Sequence, residues 1–207
     1  MNPILISSKR SMQDEVKFKM AMDAFDQYNS KDPNKEILNG QPEPKELLYA
    51  QRMTQRLLLY KPDSSAYLQL AARSQHIGRW EIARSSYPMD KKGYLQWRNK
   101  LKEHHAAITE PILKDCGYDE LIIEKVKALL LKKNLTSNAD TQILEDVICI
   151  VFLEYYIVEF AAKHADEKVI DILRKTIKKM SLKAVQSVVE LPLTDSIKSM
   201  IYEAING

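Results

Sequence analysis

LEDVICIVFLEYYIVEF, Leu144 to Phe160, is the stretch on which the fold turns. Thr136 to Asp140 offers an N-cap ahead of it, and its apolar residues cover nearly every side of a helix. The pattern therefore predicts one long helix from there to about Lys163. A helix that is apolar all round belongs in the middle of a protein. Glu154 and Glu159 interrupt the run and leave it short of the roughly 20 apolar residues that a bilayer-spanning helix needs, so no membrane span is expected.

Around this axis the same periodicity predicts further helices. Met12 to Asn29 carries Phe18, Ala21, Met22, Phe25 and Tyr28 on one face. Pro44 opens a second helix to Tyr60, whose apolar face is Leu47, Leu48, Met53, Leu57 and Leu58. A third, capped by Asp63 or Ser64, runs through Leu70 and stops near Gly78. Tyr94 to Glu110 follows, with Pro111 restarting or kinking it, and then Asp119 to Lys133. Three shorter helices complete the chain: Glu167 to Lys179, Ser181 to Val189 and Thr194 to Ile205. No segment alternates with period two. With only five glycines and eight prolines in 207 residues, the expectation is a single all-α domain over residues 1–207, a bundle of eight or nine helices.

Two cysteines, Cys116 and Cys149, lie in apolar helical patterns without CxxC spacing. That argues against a zinc cluster or disulfide framework. With no amino-terminal leader to be read, it favours a reducing, cytoplasmic location.

Arg79 to Gly93 has no clear period, and irregular segments of compact domains often carry function. From Arg73 to Glu103 there are eight Lys or Arg against three acids, whereas Asn138 to His164 holds five acids against one lysine. The acids Glu145 and Asp146 fall on the helix expected to be most buried, where an unpaired carboxylate is costly. Arg79, Arg84, Arg98 and His76 are the expected partners. Arginine forks suit carboxylates and equally suit phosphates: a purely structural ion-pair core would explain these residues, while an excess of arginines over the two carboxylates would favour a phosphate or carboxylate ligand. Gln75, Trp80 and Trp97 are expected to line the same pocket.

His76-Ile77-Gly78-Arg79 resembles the HIGH motif of class I aminoacyl-tRNA synthetases, and Lys179-Met180-Ser181-Leu182-Lys183 resembles their KMSKS loop. Here the first string follows a helix instead of a parallel strand, so synthetase activity is not expected. Across most of the chain, Pro44 to Thr54, Gln75 to Trp80, Gly93 to Arg98, Gly117 to Asp119 and Leu144 to Val147 are similar to an uncharacterised domain-of-unknown-function family, some members of which carry a glutamyl-tRNA synthetase name. More distantly, the helix order resembles the HD superfamily of metal-dependent phosphohydrolases. By that resemblance Tyr49 stands where the first metal-binding His would be, Gln75-His76 in place of the His-Asp pair, His105 on the following helix and Glu145-Asp146 at the final Asp.

The HD-like pattern departs at two of its metal positions. What the resemblance leaves is at most one divalent metal, held by His76, His105 and Asp146 or Glu145. The expected function is that of a divergent phosphohydrolase acting on a small phosphorylated or anionic molecule. His76 would be ligand or acid–base group, Asp146 and Glu145 ligand or base, and Arg79, Arg84 and Arg98 anion clamps. The alternative is a non-catalytic anion- or nucleotide-binding module; nucleic-acid binding through the basic segment is less favoured.

Overall fold

A computed structural model describes residues 11–132 and 138–206. The chain is an all-α bundle with one short hairpin: α1 (Met12–Asn29), β1 (Lys35–Leu38), β2 (Gln41–Pro44), α2 (Lys45–Tyr60), α3 (Ala66–Ser74), two 3-10 turns (Arg79–Glu81 and Arg84–Ser86), α4 (Lys91–Asp115), α5 (Glu120–Leu130), α6 (Ala139–Tyr155), α7 (Ile157–Ala161), α8 (Asp166–Ile177), α9 (Leu182–Val188) and α10 (Asp195–Asn206). Among the described residues there are thus ten α-helices. The expected long helix to Lys163 divides at Tyr156, where the backbone leaves helical geometry with φ −122°. Neither Gly nor Pro marks that break.

Helix α6 is the axis that its sequence predicts. Leu144, Val147 and Val151 enter a core shared with α1 to α5, while Ile150 and Leu153 enter a second core with α7 to α10. Asn138 caps it, its side chain accepting from the backbone N–H groups of Asp140 and Thr141; the predicted Thr136 lies outside the described residues. Cys116 and Cys149 are both free and buried. Among the described residues no helix is long and apolar enough to cross a membrane.

The segment between α1 and α2 pairs β1 with β2 antiparallel around Asn39-Gly40. Both turn residues take positive φ, 51° and 80°, the geometry that makes Asn-Gly a favoured two-residue hairpin turn. Asp32, just before the hairpin, is buried, and its carboxylate accepts from Asn34 and from the backbone N–H of Glu46. It thereby caps α2, whose own N-cap residue, Pro44, offers no side-chain hydrogen bond. Leu58, expected inward, is exposed, and Glu46 and Tyr49 are buried instead.

Helix α4 runs unbroken through Pro111. In its first turn Gly93 lies so close to the Pro88 carbonyl that a Cβ would come within 2.1 Å of the oxygen. Gly93→Ala should gain about 1 kcal/mol of helix propensity and lose about 2–3 kcal/mol to the overlap, giving a lower midpoint in chemical denaturation. An unchanged or higher midpoint would show that the Pro88 loop moves freely.

Candidate functional site

Three elements bring titratable groups together. The start of α2 contributes Glu46 and Tyr49, one helical turn apart and so on one face. The turn after α3 contributes Gln75, His76 and Arg79, with Gly78 at φ 67° reversing the chain between them. From the middle of α4 comes His105. The His76 Nδ1 lies 3.3 Å from Glu46 Oε2, and the Arg79 Nε lies 3.6 Å from Glu46 Oε1. The ring of Tyr49 stacks on His76 with centroids 4.0 Å apart, and the His76 and His105 centroids are 5.8 Å apart.

Burial sets the protonation of this cluster. His76 is held well below the usual imidazole range by burial, then by the charges of Arg79, Lys132 and Arg98. His105 is lowered likewise, by burial and then by His76. Its Nδ1 donates to the Ile77 carbonyl at 2.6 Å, which leaves Nε2 as the unprotonated nitrogen. Facing a neutral imidazole and an arginine beyond good hydrogen-bond range, Glu46 is left under-compensated. Burial pushes its carboxyl up to about 7, with Asp32 adding to the shift and Arg79 opposing it. Its Oε2 is buried without a hydrogen-bond partner, as are Tyr49 Oη and Gln75 Oε1. Orphaned buried polar atoms are uncommon and call for an explanation. A ligand that completes them is one. The cluster meets solvent at His76 and Arg79, whose side chains are 23% and 29% exposed.

Beside it lies a second group. Lys132 donates to Glu145, with side chains 13% and 6% exposed. Burial pushes Glu145 up, yet Lys132, Lys179 and Arg98 together hold its carboxyl below the usual range. Arg98 is half-buried and acts on Glu145, Lys132 and His76. Trp97 sets the wall: its indole N–H donates to the Ile82 carbonyl, and the Arg79 guanidinium lies 4.6 Å over its ring.

Other residues singled out from the sequence are engaged in contacts of their own. Both oxygens of Asp146 are taken up, Oδ1 by Gln142 and the Ser181 N–H, Oδ2 by the Tyr60 and Ser181 hydroxyls. Adjacent helical residues point about 100° apart, so Asp146 faces α9 while Glu145 faces Lys132. Arg84 stands 6.0 Å over the Trp97 ring, paired with no carboxylate among the described residues, and donates to the carbonyls of Tyr87, Pro88 and Asp90, fastening its own loop. Trp80 leans on Tyr28 at 6.0 Å between centroids. Among the described residues no group of three or more His, Cys, Asp or Glu is arranged to hold a metal ion. With Asp146 engaged by four donors, the set His76, His105 and Asp146 does not fit one.

Two concavities lie away from this cluster. One, about 230 Å³, is apolar and lined by residues such as Val188, Leu193 and Ile201; the other, about 380 Å³, is lined by Arg56, Tyr60, Lys183 and Glu190 among others. Glu46 and Lys132 form the buried ion-pair contacts of the two side-chain groups, and neither stands out in the sequence. Each has an ordinary local reading, an acid in the first turn of a helix and a cation after the last turn of another. A family model described as a domain of unknown function (DUF4202) matches residues 19–201. No curated protein and no solved structure matches the chain.

Proposed function

For a chain that belongs to the domain-of-unknown-function family DUF4202, we propose that it binds a small phosphorylated or otherwise anionic molecule at Glu46, His76 and Arg79 and acts on it as a divergent, HD-like hydrolase. One observation carries this reading. Glu46 is a buried carboxyl pushed up to about 7, with Oε2 3.3 Å from a neutral imidazole yet without a hydrogen bond, and Oε1 3.6 Å from an arginine. A proton donor or acceptor works best when its pKa lies near the working pH. Perturbed carboxyls of this kind cluster at functional sites.

In this reading Arg79, pre-oriented on Trp97, and Arg98 receive the anion. Water attacks phosphorus, Glu46 accepts its proton, and the phosphoryl–oxygen bond to the leaving alcohol breaks with the proton returned to that oxygen. The two buried thiols support a reducing, cytoplasmic setting.

A thermal-shift screen of phosphorylated metabolites tests the binding half. The expected result is a ligand that raises the melting temperature of the wild type and loses its effect in Arg79→Ala. Phosphate release from that ligand should fall about 100-fold or more in Glu46→Gln, within the range of general acid–base catalysis. Binding without phosphate release would replace the hydrolase by a non-catalytic anion-binding module. No stabilising anion at all would end the proposal.

A further inference from the structure

Lys132 lies just past the last turn of α5 with backbone φ 55°. That is the left-handed region, and the position following a helix end is usually given to glycine. This chain places a lysine there. Its side chain is turned inward, with 13% exposure, and its ammonium donates to the buried Glu145. An ammonium carries three N–H donors, and among the described residues Glu145 is the acceptor the structure provides. The charge sits close enough to the site to act on His76 together with Arg79 and Arg98.

A buried ion pair kept only for stability is a poor investment, because apolar residues of similar volume do as well or better. Here the pair also requires a side chain in a backbone region that disfavours it. Resting on the anion-binding reading above, we infer that Lys132 is a further anion-binding residue, bridging Glu145 and an oxygen of the bound phosphoryl group. Glu145 is then its positioning residue. It holds the ammonium at the site and keeps one donor occupied while the others face the ligand.

Inorganic phosphate is the probe, titrated into the full chain by calorimetry. Lys132→Met with Glu145→Gln removes one positive and one negative charge, so the net charge of the site is unchanged and no buried charge is orphaned. Lys132→Gly with Glu145→Gln does the same while relieving the left-handed backbone, and provides a fold-competent form should methionine be poorly accommodated. Both should keep cooperative unfolding and bind phosphate about tenfold or more weakly than wild type, the worth of one charge-assisted hydrogen bond. Wild-type affinity in either folded double variant would overturn the inference. If phosphate binding is lost in Arg79→Ala but untouched in the double variants, the site stands and the role of Lys132 does not. No phosphate binding by the wild type at millimolar concentration brings down both.

Discussion

Asp146→Ala is expected to lower stability by about 4 kcal/mol and the melting temperature by about 10 °C for a chain of this size. The carboxylate is 1% exposed and accepts four hydrogen bonds, from Gln142, Tyr60, and the backbone and hydroxyl of Ser181. Bonds to a charged group contribute about 1.5–3 kcal/mol each, and truncation leaves buried donors without a partner. The loss falls where it matters for the architecture. Ser181 caps α9 through the Ala184 N–H, so Asp146 fastens the second core to the axial helix α6 and to the end of α2. Asp146→Asn keeps the shape but turns a donor toward donors, and should cost about half as much. Urea denaturation checks both. A loss under about 1 kcal/mol for alanine would mean that water replaces the carboxylate and that the two cores are joined by apolar packing alone.

The second large effect is a pH dependence with a definite sign. Glu46 in the folded chain is pushed up to about 7 from an ordinary 4.5. Between those values the folded chain binds more protons than the unfolded one, so stability falls as pH rises from about 4.5 to about 7 and is flat above. The shift corresponds to about 3 kcal/mol. Glu46→Gln cannot ionise and should lose this slope, becoming more stable than wild type by about that amount at pH 8 while the two agree near pH 4. His76 and His105 act in the opposite direction, since their lowered values remove stability as pH falls below the ordinary imidazole value of 6.5; that arm should persist in the glutamine variant. Equal pH profiles for wild type and Glu46→Gln would show that the carboxyl is solvated. A stabilising substitution at a residue that costs activity is the usual trade at functional sites.

The fold was legible because periodicity reports burial faithfully for long helices. Met12 to Asn29 is α1 to the residue, and the stretch around Leu144 is indeed buried on most sides. The hairpin escapes periodicity although Asn39-Gly40 marks its turn, because its strands carry Pro42 and Pro44 and expose Ile37, leaving no apolar alternation. The grouping of the candidate side chains is legible in part. His76, Arg79, Trp97, Arg98, His105 and Glu145 lie in one region, Arg84 stands at its edge beside Trp97 while bonding its own loop, and Asp146 faces away toward Ser181.

Helix geometry already separates Glu145 from Asp146, and only one of the pair could have faced the turn after α3. Charge complementarity was real but realised differently. Arg73 pairs with Asp26 of α1, Glu154 with Arg56 of α2, and Glu145 with Lys132. Glu46 was hidden because its burial depends on Asp32 reaching across the hairpin to cap α2, a tertiary fact that no local pattern contains.

If the proposed function holds, a small anion sits at His76, between Arg79 and Glu46. The chain has four histidines, His76 and His105 in this cluster, His104 bonded to Glu81, and His164 against Phe160 in the second core. Side-chain NMR of histidine during titration with inorganic phosphate reads all four at once. The predicted result is saturable shifts of the His76 resonances, with smaller ones at His105 and none at His164, all lost in Arg79→Ala. Shifts confined to His164, or the absence of any saturable shift at His76, would contradict it.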